Sequence, residues 1–244
     1  MVKTREALCM DIRYKRVLLK ISGEALAGEK CKGYDPETLA RVAAQIADAA
    51  KAGAEIGIVV GGGNFWRGRE SLPIDRTTSD YMGMLATVMN AMCLCESIEK
   101  FGVKAAVQTA FAIEHIAAPY NKREADALLK SGTVVVFGGG TGCPFFSTDT
   151  TAALRAAEIG ADMLLLAKNV DGIYDSDPKT NPNAKKFDKI DYMRFVELNL
   201  KAMDTSAVVL CKENNIPVYA FALDGENAIN KALSGDLTAG TVIG

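Results

Sequence analysis

Short apolar runs recur along the chain, and several end on glycine. Arg16–Ile21 (RVLLKI) stops at Ser22-Gly23, Ile56–Val60 runs into Gly61-Gly62-Gly63, and Val134–Phe137 runs into Gly138-Gly139-Gly140-Thr141-Gly142. Val103–Gln108, Met163–Ala167 and Val218–Phe221 have the same character. Runs this short, rich in β-branched residues and bounded by glycine, predict buried strands. Helical patterns lie between them. Asp35-Pro36 opens one helix, with the aspartate as N-cap and the proline at the first helical position, and Gly53 closes it. A long helix is expected from about Ser79 to Lys100, where Leu85, Val88, Met89, Met92 and Cys95 recur at helical spacing. Asn121 and Glu124 form a capping-box pattern for a helix through Lys130. Further helices are expected from near Asp149, Asp204 and Asp224, with Lys168–Ile190 as a polar loop and Thr241–Ile243 as a last edge strand.

Strands that alternate with helices predict an α/β fold, a mainly parallel sheet sandwiched between helices. Ligands of such sheets sit beyond the carboxyl ends of the strands, where every glycine turn named above also lies. A shift toward polar residues near Lys168 marks the best candidate boundary within the chain.

Composition narrows the function. The 244 residues are 49% hydrophobic, enough to bury a core, and the net charge of −2 supplies no broad basic surface for nucleic acid. No uninterrupted apolar run approaches the roughly 18 residues that span a bilayer, and Met1 to Tyr14 is charged, without the apolar stretch of a signal peptide. The expectation is a cytoplasmic protein that engages neither membrane nor nucleic acid. Six cysteines without a C-x-x-C pair and one histidine, His115, argue against a zinc site, and no resident metal ligands are expected.

The two glycine turns after apolar strands suggest two anion sites facing one crevice, because glycine lets backbone N–H groups approach a ligand. Neither turn reads G-x-x-x-x-G-K-[ST], nor G-x-G-x-x-G with a well-placed acid, which excludes a P-loop and disfavours a dinucleotide site. Lys20 interrupts an apolar run. It is either a strand-end lysine snorkelling to water or a cation aimed at the crevice, and the third glycine turn beside it, at Gly23, favours the second. Two nucleotide phosphates brought together need cations: each charge pair at ~4 Å repels by about 4 kcal/mol at an effective dielectric of ~20. A helix N-terminus returns only ~0.3–2 kcal/mol. Lys20 and Arg67, with a Mg²⁺ ion, are the candidates. Asp80, Asp149 and Asp204 each read either as ordinary acids at helix starts or as ligand-facing carboxylates. Tyr174 and Asp177 lie in the polar loop, where the tyrosine could stack on a base.

These motifs carry a resemblance. Lys20-Ile21-Ser22-Gly23-Glu24-Ala25-Leu26, Gly61-Gly62-Gly63-Asn64-Phe65-Trp66-Arg67-Gly68, Asp80 to Thr87, Thr141-Gly142-Cys143-Pro144-Phe145-Phe146-Ser147-Thr148-Asp149, and Val170-Asp171-Gly172-Ile173-Tyr174 through Asp177-Pro178 resemble the bacterial uridylate kinases of the amino acid kinase superfamily. The resemblance runs from about Tyr14 to Gly244. It implies the three-layer α/β/α fold of that superfamily, as a tail over residues 1–13 and one domain over 14–244, with an acceptor-side lobe (about 14–165) and an ATP-side lobe (about 166–244). It implies phosphoryl transfer from ATP to UMP with Mg²⁺, inhibition by UTP, activation by GTP, and a homohexamer. Lys20, Arg67, Asp149 and Asp204 are then the catalytic set. Lys20, Ile21, Ser22, Gly23, Gly63, Arg67, Lys168, Asn169, Tyr174 and Asp177 resemble ATP contacts. Gly62, Asp80, Thr141, Gly142, Cys143, Pro144, Phe145, Phe146, Ser147 and Thr148 resemble the UMP site. The family usually carries asparagine where this chain has Cys143, and Gly28–Gly33 matches its GTP-responsive region only in the flanking glycines. The competing expectations are a carbamate, acylglutamate or aspartate kinase of the same superfamily, or a nucleotide-binding or storage protein without turnover.

Overall fold

A computed structural model describes residues 11–30, 32–67, 73–178, 180–225 and 227–244. Most of the expected tail, along with Cys9, Cys31 and Gly68, lies outside the described residues. The strands are β1 (Arg16–Ile21), β2 (Glu55–Val60), β3 (Ala105–Thr109), β4 (Ala118–Pro119), β5 (Val134–Gly138), β6 (Met163–Lys168), β7 (Ile173–Tyr174), β8 (Lys186–Phe187), β9 (Lys189–Ile190), β10 (Val218–Ala222) and β11 (Thr241–Ile243). Nine of them form one sheet in the order β4-β3-β5-β2-β1-β6-β10-β11-β9, parallel throughout except for β10 with β11. The helices are α1 (Gly23–Leu26), α2 (Pro36–Lys51), α3 (Arg76–Glu99), α4 (Lys122–Lys130), α5 (Thr148–Ile159), α6 (Tyr192–Glu197), α7 (Thr205–Glu213) and α8 (Ala228–Ser234).

The central strands are apolar on both faces because both faces are covered. Val17, Leu19 and Ile21 of β1 join one buried cluster with α2, α3 and α8; Leu18 joins the other with α4, α5 and α7. The expected three layers are therefore present. Pro119 sits on the edge strand β4, where its missing N–H leaves no ladder bond unmade.

Several expected boundaries move. The long helix begins at Arg76, with Asp75 as its N-cap accepting from Thr78 N, so it starts a turn before Ser79 and Asp80 is not a first-turn acid. Thr241–Ile243 is not the edge strand, because β9 pairs outside it. The polar loop Lys168–Ile190 contains the β7–β8 hairpin and β9. The helix expected from Asp224 begins at Ala228, and α6 was unforeseen. Helix α3 is long and apolar enough by composition to cross a membrane, although scattered polar residues interrupt its apolar run. Over half of its most apolar window is buried against the rest of the molecule.

Candidate active site

From β1 the chain builds one side of the sheet with β2, β3, β4 and β5, which lie in the spatial order β2, β5, β3, β4, then returns to β1's other flank as β6. The carboxyl ends of β1, β2 and β6 therefore surround a topological switch point, the place where open α/β sheets leave a crevice. Lys20 is one residue from the end of β1, between Val59 of β2 and Leu166 of β6. With Leu18 it faces the α5 side, and at its level the core gives way to the α5 N-terminus. Its Nζ lies 3.0 Å from Asp149 Oδ1 in the first turn of α5, both side chains being mostly buried. The approach is close but off-axis: no aligned hydrogen bond satisfies Oδ1, so charge holds the pair.

Two more charges join them. Asp204 occupies the N-cap position of α7, where such a side chain ordinarily accepts a first-turn N–H. Those of Ser22, Asp35, Asp75, Asn121, Ser147 and Asp191 do so, and that of Asp204 does not. Its carboxylate instead lines the same cavity as Lys20 and Asp149, brought there by the packing of α5 on α7 through Thr150 and Ser206. Lys168 ends β6 and donates to Ala202 O. Burial pulls its ammonium below the ordinary lysine range; Asp149 pushes it back, Lys20 lowers it further, and Asp204 raises it. The two lysines and the two aspartates balance in formal charge, so incoming phosphates bring negative charge that calls for a further cation.

The glycine turns have different physical reasons. A Cβ on Gly23 would stand 2.4 Å from Asn64 Oδ1 and 2.6 Å from Gly61 O, so the first two turns touch backbone to backbone. A Cβ on Gly62 would meet Gly83 O at 2.7 Å. The third turn instead needs left-handed backbone, with φ of 80°, 61° and 80° at Gly139, Gly140 and Gly142. One helix ties these turns into a single frame. From α3, buried Asn90 donates to Gly61 O and pairs with the Asn64 amide, while Thr87 Oγ1 accepts from Gly139 N. Ser79 Oγ accepts from the Trp66 indole N–H. Asp80 Oδ2 accepts from Phe145 N at 2.8 Å.

These elements enclose a cavity of about 420 Å³. Of the expected residues, Lys20, Gly62, Gly63, Asp80, Phe145, Phe146, Ser147, Thr148, Asp149 and Asp204 line it. Trp66, Arg76, Met84 and Thr87 line it too, beyond the expected set; for the three on α3 the signal is the spacing of 76, 80, 84 and 87 along one helix face, masked by the apolar residues of the other faces. Thr141, Gly142, Cys143 and Pro144 build the turn leading into the lining, with Cys143 N donating to Thr141 Oγ1 and the Cys143 side chain exposed. Ile21 is fully buried and Ser22 caps α1. Arg67 stands outside the lining, ion-paired to Glu24 at 2.7 Å. His115 is exposed in another loop at φ 64°.

A second cavity, of about 410 Å³, lies on the α8 face of β10, between Tyr219, Phe221, Ala228, Lys231, Asp171 and Lys186. Tyr174 and Asp177 are not in its lining; Tyr174 donates to Asp171 Oδ1 and so braces one wall, and Asn169 is exposed nearby in sequence.

Residues 15–221 match the model of the amino acid kinase family, and the chain belongs to that family. Among solved structures it is similar to the UMP kinase from Bacillus anthracis, at 37% identity and TM-score 0.90 over 94% of this chain and 96% of that one. It is equally similar to the UMP kinase from Ureaplasma parvum, at 36% identity and TM-score 0.89 over 95% and 99%. The uridylate kinase from Archaeoglobus fulgidus matches at 32% identity and TM-score 0.72 over 93% and 99%.

Proposed function

We propose that this chain is a UMP kinase, transferring the γ-phosphoryl group of ATP to UMP and releasing ADP and UDP. The observation that carries the reading is the first cavity, whose lining joins the Lys20–Asp149 pair and Asp204 to the segment Phe145–Thr148 and to Gly62 and Gly63. Full-length likeness to UMP kinases supports the same substrates and disfavours the carbamate, acylglutamate and storage readings.

In this reading a UMP phosphate oxygen attacks the γ-phosphorus in line as the bond to the β–γ bridging oxygen breaks. That oxygen is already ionised at pH 7, so the protein supplies position and charge rather than a base. Lys20 and Lys168 neutralise charge on the transferred group. Asp149 holds Lys20 in place, and Asp204 assists it. Asp80 and the segment 141–148 seat the uridine end, with Gly62 toward UMP. Ser22, Gly23 and Gly63 offer N–H groups to ATP, and Arg67 exchanges Glu24 for a phosphate. The second cavity takes the adenosine, flanked by Tyr174, Asp177 and Asn169. The first cavity draws on residues 20–151 plus Asp204 and the second on residues 171–239, which supports the acceptor-side and ATP-side lobes.

Among the described residues no three acidic, cysteine or histidine side chains cluster as a metal cage. Asp149, whose Oδ1 is ion-paired to Lys20 without an aligned hydrogen bond, and Asp204, whose side chain makes no cap bond, fit a Mg²⁺ ion that arrives on ATP and keeps several waters. When bound, it would supply further charge neutralisation between the phosphates.

The expected assembly is a homohexamer. An exposed apolar stripe on α3, formed by Tyr81, Leu85, Met89 and Met92, each 44% to 52% exposed, supports self-association. UTP should compete for the acceptor cavity, GTP should activate, and the protein should act in the cytoplasm on pyrimidine nucleotide synthesis.

The test is ADP release with Mg²⁺ across UMP, CMP, dCMP, carbamate, acylglutamate and aspartate, with and without UTP and GTP. UMP should be turned over far faster than the rest. Equal rates on CMP, or turnover of a non-nucleotide acceptor alone, would sink the reading. Light scattering on the wild type and on Leu85→Glu/Met89→Glu tests the assembly; an unchanged mass would remove α3 from it.

A further inference from the structure

We propose that Arg76 is a positioning residue of the acceptor site, acting through Asp80 and Phe145. The inference rests on the reading of Asp80 and the segment 141–148 as the UMP site. Arg76 opens α3, and its Nε lies 2.9 Å from each oxygen of Asp80, one helical turn on. This grip fixes the plane of the carboxylate and directs Oδ2 at Phe145 N, 2.8 Å away. The same guanidinium lies 5.2 Å from the centroid of the Phe145 ring, within cation–π range. Phe145 needs such support. Its φ of 71° places a bulky L-residue in the left-handed region, and the residue is 68% exposed.

Arg76 thus closes a three-membered latch between two segments 65 residues apart in sequence. One arm sets the Asp80 rotamer; the other seats Phe145, and with it the backbone that runs on to Phe146, Ser147 and Thr148 in the cavity wall. A uridine hydroxyl that donates to Asp80 meets a carboxylate already oriented, in competition with one backbone N–H. Without Arg76 the carboxylate loses the grip that fixes its plane, and Phe145 loses one of its two supports. Lysine does not replace it, because a point charge offers neither the planar stack nor the fixed fork.

Steady-state kinetics on Arg76→Ala and Arg76→Lys test this. Both should raise KM for UMP roughly tenfold, leaving KM for ATP and kcat within about twofold. The cycle of Arg76→Ala with Phe145→Ala should be non-additive, since the two residues act as a unit. Trp66, the single tryptophan and part of the cavity lining, gives a binding readout independent of turnover, and UMP titrations of its fluorescence should show the same weakening. Thermal melts confirm that the variants fold. Full rescue by Arg76→Lys, a parallel rise in KM for ATP, or an additive cycle would overturn the proposal. Asp80→Asn separates the two levels. If it leaves KM for UMP unchanged, the acceptor-site reading falls and this proposal with it. If it raises that KM while both Arg76 variants match wild type, only the role of Arg76 falls.

Discussion

Replacing Lys20 by methionine tests the core of the site, because the structure separates the lysine's two effects. The ion pair with Asp149 spans 3.0 Å, which at an effective dielectric of ~20 corresponds to about 5.5 kcal/mol of attraction. Desolvation of two mostly buried charges offsets a good part of that, and losing one partner leaves the other unpaired. A net destabilisation of about 2 kcal/mol is expected, or roughly 4–8 °C in melting temperature for a domain of this size. Neutralising the orphan should return most of it, so Lys20→Met/Asp149→Asn should melt close to wild type. Activity should not return. The cation meant for the transferred phosphoryl group is gone in both variants, and removing one such electrostatic contact typically costs about 10²–10³ in kcat. The assays are thermal melts of the ligand-free protein and coupled ADP release at saturating UMP and Mg²⁺–ATP. Two results would refute the reasoning. One is a single variant within tenfold of wild-type kcat. The other is a double variant no more stable than the single one, which would mean that Asp149 is not held by Lys20.

Other expectations follow from the same geometry. Burial holds Lys168 below the ordinary lysine range, so kcat should fall on an alkaline limb below that range, and Lys168→Arg should move the limb to higher pH; an unmoved limb would clear Lys168 of a charge role. Between that depressed value and the ordinary one the unfolded chain binds more protons than the folded chain, so stability should rise with pH across the window, a rise that Lys168→Met should flatten in pH-dependent melts. Gly23→Ala should cost about 1–3 kcal/mol by overpacking, since its Cβ would crowd the backbone at Gly61 O and Gly63 N as well as an Asn64 side chain already tied to Gly33 and Asn90. Gly33→Ala, with open space around its Cβ, should show only the smaller penalty of its φ of 68°; equal losses in the two melts would contradict the packing account. Iodoacetamide should modify exposed Cys143 ahead of Cys95 and Cys211, whose thiols burial pushes up to about 12, and UMP should slow that modification; peptide mapping with a Cys143→Ser control checks both.

Much of the candidate site was legible along the chain, because strand ends followed by glycine mark backbone that must either turn or approach something closely. Lys20 stood out as a charge in an apolar run, and its neighbour Gly23 pointed to a turn. The cause of each glycine is not legible there. Gly23 and Gly62 are small because other backbone crowds them, whereas Gly139, Gly140 and Gly142 are needed for left-handed φ, and both causes look alike as a run of G.

Local pattern determined the alternation of strands and helices, the apolar strand centres, and hence a parallel sheet with its ligand crevice at the carboxyl ends. Those properties depend on side chains a few residues apart. Three further features depended on tertiary structure. The faces of α3 are distinguished only by what packs against each: Ser79, Thr87 and Asn90 are buried polar residues because two glycine loops dock on them, while Leu85 and Met89 stay exposed. Asp204 reads as an ordinary helix cap until α7 lies against α5 and turns its unspent carboxylate toward Lys20 and Asp149. The cavity beside Tyr219 and Phe221 exists because α8 and the β7–β8 hairpin wall it in, joining residues from Asp171 to Ala239. Contacts across such separations follow from how the layers close on one another, which no short window of sequence contains.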